Sequence, residues 1–292
     1  MAWMVAAGWR NLVLESTPSP QWAAQDRQCQ TGSVSTEQPR PKLAALIGIG
    51  LVAGFLSGMF GVGGGIIIVP ALIAVAHFVR KRASATSLVA IIPTALVGVT
   101  TYALAGDVDV IVAAVLALGS VVGAQAGSWL LHRLPVAAVR WTFIAFLVFV
   151  VVQLFLTTPA RDAVFHWSVG SAVAIVALGL VTGVLSGLLG VGGGIIVVPA
   201  LILGFGISDL VAKGTSLLMM IPTAISGTVS NVKRGLADVR AGLIVGGSAC
   251  LTSAAGAWVA RLLDPRTANI VFGVFVAGVI IQMVVQARRK PE

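Results

Sequence analysis

Residues 54–73 read GFLSGMFGVGGGIIIVPALI, and residues 183–202 repeat that stretch almost unchanged as GVLSGLLGVGGGIIVVPALI. The two copies lie 129 positions apart and agree at 16 of their 20 residues. At the same shift the similarity continues without a gap to Trp129, whose counterpart is Trp258. Because the matches extend over very different local sequences, they indicate a duplication of the chain rather than a chance similarity of composition.

The composition predicts that both copies lie in a membrane. Hydrophobic residues make up 58% of the chain and charged residues only 10%, with a mean hydropathy of +1.01. Soluble domains carry about 25% charged residues. A helix needs about 20 apolar residues to cross a bilayer, and six uncharged stretches are long enough: 84–105, 110–131, 141–160, 167–189, 241–260 and 267–286. None alternates as barrel strands do, so we predict an all-α integral membrane protein.

The remaining polar residues point to neither an enzyme nor a nucleic-acid-binding protein. The net charge is +9, but the basic residues lie mainly in short connectors, which is typical of membrane orientation. Cys29 and Cys250 offer no disulfide framework and no metal-ligand spacing. We find no cluster of His, Glu and Asp and no nucleophile with a base. We therefore expect no metal, no cofactor and no catalytic residues.

The chain divides into three parts. Residues 1–42 mix Pro, Ser, Thr, Gln and charges without periodicity, which is typical of a flexible tail. The first transmembrane repeat follows at 43–160 and the second at 161–292.

The number of crossings in each repeat decides whether the halves are parallel or inverted. The first half offers up to five helical segments, and the second half repeats them, which predicts eight to ten transmembrane or half-membrane helices. Five crossings make the second half inverted. If 43–79 is a single broken crossing, the count is four and the halves are parallel. The segments are 43–60, 66–79, 84–105, 108–131 and 136–157, then 167–189, 195–207, 210–230, 238–260 and 267–286.

The connector charges favour the inverted arrangement. Acidic GDVD at 106–109 aligns with GLAD at 235–238, which follows the basic pair Lys233 and Arg234. Since basic connectors stay in the cytoplasm, equivalent connectors lie on opposite sides. The same rule places both termini in the cytoplasm. Arg261 and Arg266, on the predicted outside, do not follow it.

The glycine clusters at 61–65 and 190–194 predict a break in each half. Each glycine lowers helix stability by about 1 kcal/mol and permits backbone angles that other residues avoid. The short apolar segments that follow are expected to be half-helices, whose positive N-termini stabilise an anion by about 0.3–2 kcal/mol. Close helix packing is the alternative role for these glycines. The residues predicted to bind the anion are Gly63, Gly64, Gly65, Gly192, Gly193 and Gly194.

Hydroxyl pairs at Thr86–Ser87 and Thr215–Ser216 are further candidates. Their side chains either donate to an oxyanion or bind backbone groups, as Ser and Thr often do in helices. Lys213 is the cation near the second pair, and it either faces the path or extends to the membrane surface.

Other polar residues are weaker candidates, each with a structural alternative. Tyr102, Gln125 and Asn231 either line the path or form hydrogen bonds between helices. The aspartates are expected in loops or helix caps, with a proton relay as the alternative; they are Asp107, Asp109 and Asp238.

The paired GxxSGxxGxGGGxxxVPxL segments, each followed by Thr-Ser-Leu and a proline, resemble the TauE/SafE family, the sulfite exporter or four-toluene-sulfonate uptake permease group. The resemblance covers roughly residues 43–287. It implies an inner-membrane permease that moves small anions, such as sulfite, organosulfonates or sulfur-containing organic acids, without ATP. By motif position it supports the triple glycines and the Thr-Ser pairs as parts of the transport path.

We therefore predict a secondary transporter of a small anion that works by alternating access, with protons as the candidate coupling ion. Its expected partners are the anionic solute and the lipid bilayer, and no nucleic acid. The sequence determines neither the direction of transport nor the oligomeric state. A membrane accessory or assembly subunit with the same fold is the alternative function, and an intramembrane enzyme is a third.

Overall fold

The structure, a computed structural model, describes residues 43–130, 136–156 and 168–289. These residues form ten helices. The first five are α1 (Leu43–Phe60), α2 (Gly65–Ala74), α3 (Arg80–Ala103), α4 (Val110–Leu130) and α5 (Val136–Leu156). The second five are α6 (Val169–Leu189), α7 (Gly194–Phe205), α8 (Asp209–Lys233), α9 (Val239–Leu262) and α10 (Pro265–Arg289). The predicted tail at 1–42 lies outside the described residues.

The helix boundaries repeat at the spacing of the sequence duplication. The starts of α2, α3, α4 and α5 each precede the starts of α7, α8, α9 and α10 by 129 residues, as do the ends of α1 and α6. Equivalent sequences therefore form equivalent helices, so α1 to α5 correspond in order to α6 to α10.

The described helices are those of a membrane protein. Seven of them are long and apolar enough to cross a bilayer, whereas α2 and α7 are short apolar helices. The prediction of an all-α membrane-spanning chain is confirmed. The seven are α1, α3, α4, α6, α8, α9 and α10.

Two predicted boundaries, on either side of the connection between α2 and α3, are wrong. The half-helix expected at 66–79 ends at Ala74, and α3 starts at Arg80 rather than at residue 84. Between them the chain turns at His77, whose φ is +55°. The prediction excluded charged residues from the apolar spans, but a helix continues past the hydrocarbon layer, where its first turn can carry charges.

The two halves interlock through close helix pairs. Helix α1 packs against α9 of the other half, and α4 packs against α6 in the equivalent way. A Cβ atom on Gly54 of α1 would clash with the Ala249 carbonyl oxygen, and one on Gly183 of α6 would clash with the Ser120 carbonyl oxygen. Lipid gives helices little hydrophobic reason to associate, so close backbone contact at small residues supplies the attraction.

The equivalent helices α3 and α8 run in opposite directions. Near the end of α3, Tyr102 lies beside Gly214, which is near the start of α8. Near the start of α3, Leu88 lies beside Gly227, which is in the second half of α8. This antiparallel pairing of equivalent helices supports the prediction that the halves are inverted.

Substitution of Gly54 tests the contact between α1 and α9. We expect Gly54→Val to lower the stability of the folded chain by about 1–3 kcal/mol, because the added atoms push the two backbones apart. Gly48→Val, on the same helix, should change stability by less than about 0.5 kcal/mol, because nothing lies within 4 Å of a Cβ atom there. Thermal denaturation of the detergent-solubilised variants measures both. Equal effects would contradict close packing at Gly54.

Candidate functional site

The glycine clusters interrupt the helices in both halves. Helix α1 ends at Phe60 and α2 begins at Gly65, while α6 ends at Leu189 and α7 begins at Gly194. The residues before the half-helices, Gly64 and Gly193, have φ angles of +73° and +83°. Side chains of L-residues rarely adopt this left-handed conformation, so glycine is required there.

The two glycine loops touch each other between the halves. A Cβ atom on Gly65 would lie 2.8 Å from the Val191 carbonyl oxygen, and one on Gly194 would lie 2.7 Å from the Gly61 carbonyl oxygen. The side chain of Met220 packs against both loops, because Cβ atoms on Gly63 and Gly192 would both clash with its methyl group. The N-termini of α2 and α7 thus converge, and in this structure they are packed against protein.

Serine hydroxyls join each loop to the opposite half. The Ser216 hydroxyl donates to the Gly61 carbonyl oxygen at 2.5 Å, and the Ser87 hydroxyl donates to the Gly190 carbonyl oxygen at 2.8 Å. Both serines are wholly buried. The paired bonds hold the glycine loops in a fixed position between α3 and α8.

The neighbouring threonines connect helices in a second way. The backbone N–H of Asp238 donates to Thr86 Oγ1 at 3.0 Å, and that of Asp109 donates to Thr215 Oγ1 at 3.0 Å. Each threonine thus joins a central helix to the start of a helix in the other half. In this structure the Thr-Ser pairs bind backbone groups between helices, and the hydroxyls of Ser87 and Ser216 also donate to a carbonyl oxygen within their own turn.

Lys213 is buried in an ion pair. Its ammonium group lies 3.3 Å from a carboxylate oxygen of Asp209, one turn earlier on α8. The two side chains are 4% and 1% exposed, so Lys213 does not extend to the membrane surface. A charge pair that is removed from water is costly unless both groups are well satisfied.

A cavity of about 330 Å³ lies between the two halves. It extends from the first turns of α3 and the end of α8 to Gly190, at the start of the second glycine loop. Its lining is rich in hydrogen-bonding groups and cations. The polar side chains are those of Lys81, Ser84, Gln125, Ser186, Thr223, Ser226, Ser230, Asn231 and Arg234.

The charge in this cavity is positive. Lys81 and Arg234 are exposed in its lining, and the described lining residues include no carboxylate. Neither cation forms an ion pair within the described part of the chain. By contrast, the adjacent Arg82 is paired with Asp238 at 2.7 Å. An unneutralised pair of cations in a recess raises the local concentration of anions.

The cavity differs from the site predicted from sequence. The triple glycines, the Thr-Ser pairs and Lys213 are not among its described lining residues. Gln125 and Asn231, which were weaker candidates, do line it. In the sequence, the basic residues near the connectors indicate only the orientation of the chain, so Lys81 and Arg234 were not predicted to line a cavity.

One sequence signal could have located the cavity wall on α8. Thr223, Ser226, Ser230 and Arg234 recur at spacings of three and four residues, which places them on one face of a helix. A polar face on an otherwise apolar membrane helix indicates a surface that lipid does not cover.

The aspartates have structural partners. The Asp109 carboxylate accepts the backbone N–H of Val112 at the start of α4, and the Asp238 carboxylate accepts that of Ala241 at the start of α9. The prediction that both are helix caps is confirmed. The described residues contain no group of His, Cys, Asp and Glu that could hold a metal ion.

Comparison with known proteins agrees with a transporter. The chain is 34% identical over 128 residues to "Probable membrane transporter protein YunE" of Bacillus subtilis, which covers 41% of this chain and about half, 47%, of that protein. It is 29% identical over 255 residues to a "Probable membrane transporter protein" of Xylella fastidiosa, which covers 83% of this chain and 95% of that protein. A third relative, "Probable membrane transporter protein YdhB" of Bacillus subtilis, is 28% identical over 193 residues, 63% of this chain and 77% of that protein. No solved structure matches the chain.

The family comparison covers almost the whole sequence. The family described as Sulfite exporter TauE/SafE matches residues 1–154 and 175–292, including the stretch expected to be a tail. The family and relative names agree with the expectation that the chain is not an enzyme. Together with the seven apolar helices, these matches show that the chain is a multi-pass membrane transporter and belongs to the sulfite exporter TauE/SafE family.

Proposed function

We propose that this transporter moves small anions and that the solute passes through the cavity between the two halves. The observation that carries the proposal is the charge of the cavity. Its lining combines hydroxyl and amide groups with two cations that have no ion-pair partner among the described residues, and the described lining includes no carboxylate. Sulfite, organosulfonates and related sulfur-containing organic anions are the proposed solutes, in agreement with the family description.

The chemistry of the lining suits an oxyanion. The side chains of Ser186, Ser226, Ser230 and Asn231 make no hydrogen bond to another described residue, and each can donate to a solute oxygen. A guanidinium group such as that of Arg234 can donate two parallel hydrogen bonds to a sulfonate. The volume of about 330 Å³ lies at the small end of ligand sites, which suits a compact solute with some of its water.

The glycine loops have a supporting role in this proposal. Gly190 lines the cavity, and the N-termini of α2 and α7 lie behind it with their positive ends at the contact between the halves. We propose that Gly63 to Gly65 and Gly192 to Gly194 form the deep end of the path, which a solute reaches when the loops separate. Discontinuous helices of this kind carry the solute sites of many transporters.

The same cations support an orientation for the protein in the membrane. Lys81, Arg82, Lys233 and Arg234 lie at the ends of α3 and α8 that flank the cavity. Because basic connectors stay in the cytoplasm, we propose that the cavity opens to the cytoplasm, that the halves are inverted, and that both termini are cytoplasmic in a bacterial inner membrane.

Flux into proteoliposomes tests this function. Purified protein should support saturable uptake of radiolabelled sulfite or of a small organosulfonate, and an excess of unlabelled anion should compete while a cation of similar size should not. If protons are the coupling ion, a pH gradient should drive accumulation. Folded, reconstituted protein that moves none of these anions would instead support the accessory-subunit alternative.

A further inference from the structure

The duplication assigns a counterpart to every residue that lines the open cavity, and those counterparts lie together at the other ends of α3 and α8. Asn231 and Gly187 line the cavity, and their counterparts are Tyr102 and Gly58. The cavity is open, whereas the equivalent space around the counterpart residues is closed.

Tyr102 fills the equivalent space. Its side chain is wholly buried, and its hydroxyl donates to the Gly58 carbonyl oxygen at 2.8 Å. On the open side, the equivalent pair, Asn231 and Gly187, borders the cavity. The hydrogen-bonded ring of Tyr102 therefore fills a space in one half of the molecule. At the equivalent position of the other half, the smaller side chain of Asn231 leaves that space open.

A second layer covers the tyrosine. The Arg261 guanidinium lies 5.8 Å from the centre of the Tyr102 ring, a distance at which a cation is attracted to the ring face. Arg261 also donates to the Asp107 carboxylate at 2.9 Å and to the Thr101 carbonyl oxygen at 3.3 Å. Asp107 and Thr101 are the counterparts of Leu236 and Ser230, both of which line the open cavity.

The charges on the two sides also differ. Lys81 and Arg234 have no carboxylate partner within the described chain, whereas Lys213 is paired with Asp209 and Arg261 with Asp107. Lys213 is the counterpart of Ser84, a residue that lines the open cavity. The closed region therefore holds the cations that an anion site needs, each neutralised by a carboxylate of the protein.

We propose that Tyr102, bonded to Gly58 and covered by the Arg261–Asp107 pair, is the closed gate of the transport path. Opening the gate exposes a second vestibule for the same small oxyanion, where Lys213 and Arg261 take the place that Lys81 and Arg234 have in the open cavity. This inference rests on the proposed function. The anion competes with Asp107 and Asp209 for the two cations, and exchange of the open and closed arrangements between inverted halves alternates the access.

Thiol labelling tests the gate without relying on transport. In a Cys29→Ser, Cys250→Ser background, Ala124→Cys places a thiol in the open cavity, and Ser253→Cys places one at the equivalent buried position of the closed side. The probes are two membrane-impermeant methanethiosulfonates, one with a sulfonate and one with a trimethylammonium group, applied from each side of the membrane.

We expect A124C to be labelled from the cavity side and S253C to be protected. Adding Tyr102→Ala should raise the labelling rate of S253C at least tenfold from the opposite side, with the sulfonate reagent faster than the cationic one. Tyr102→Phe keeps the ring but loses the hydrogen bond to Gly58, so it should give a smaller increase. Arg261→Gln provides an independent opening if the alanine variant does not fold.

Two outcomes would overturn the gate: rapid labelling of S253C with Tyr102 in place, or continued protection of S253C in both Y102A and R261Q. These outcomes are distinguishable from failure of the proposed function. A preference for the cationic reagent, or altered labelling without any anion flux, would leave a gate but reject the anion as its solute. Anion flux with no change in the labelling of S253C in these variants would support the transporter function and reject Tyr102 as the gate.

Discussion

Replacing Lys81 and Arg234 together by glutamine is expected to remove most anion uptake and to leave the fold unchanged. Both side chains are exposed at the cavity, and neither has a carboxylate partner among the described residues, so their loss breaks no ion pair. Each cation attracts an anion a few ångströms away by about 1–4 kcal/mol, depending on how much water separates them. The double variant should therefore lower the initial rate of uptake by about tenfold or more at subsaturating solute.

Lys233→Gln is the matched control for this prediction. Lys233 precedes Arg234 and is also exposed, but it does not line the cavity. It should therefore leave uptake nearly unchanged. Raising the salt concentration should weaken uptake by the parent more than uptake by the double variant, because salt screens exposed charges. Equal uptake by the parent and K81Q/R234Q would reject the cavity as the anion path.

The second large effect is expected from Gly193→Val. The residue has a φ of +83°, which valine adopts only with strain, and a Cβ atom would lie 2.5 Å from the Thr182 methyl group. The substitution thus combines backbone strain of about 1–2 kcal/mol with overpacking of about 1–3 kcal/mol. Because α7 starts at the next residue, the change displaces the half-helix and should reduce uptake to background. Gly64→Val in the first half should act in the same direction.

Gly206→Val separates strain from displacement. Gly206 follows α7 and has a φ of +65°, but nothing lies within 4 Å of a Cβ atom there. It should lose about 1–2 kcal/mol of stability through strain alone and retain most of its uptake. Thermal denaturation and uptake, measured on the same preparations, distinguish the two cases. If G193V and G206V transport alike, the glycine loop has no role in the path.

The helices and their breaks could be predicted because their causes are local. A run of about 20 apolar residues forms a helix wherever lipid surrounds it, since backbone groups have no other partner there. Three adjacent glycines end a helix by their own conformational freedom. Because the sequence is duplicated, each helix predicted in the first half also predicts an equivalent helix in the second half. The sequence alone predicted the start of α7 to within one residue of Gly194.

The partners of the buried hydroxyls could not be predicted. Ser87 and Ser216 each bond a carbonyl oxygen in the glycine loop of the opposite half. Nothing near these serines in the sequence specifies that loop, because the contact exists only when α3 and α8 lie antiparallel. The local sequence therefore does not determine whether these hydroxyls bind the solute or a backbone group.

The sequence by itself determined the membrane class, the duplicated helices, the two glycine breaks and the family to which the motifs belong. Only the tertiary structure decided which side of the molecule holds a cavity. Lys81 lies in the first turn of α3 and Arg234 directly follows α8, far apart in the chain. They line the same cavity because equivalent helices pack in opposite directions. Asn231 and Tyr102 occupy equivalent positions in the sequence, but whether such a residue borders a space or fills it depends on how closely the surrounding helices approach one another.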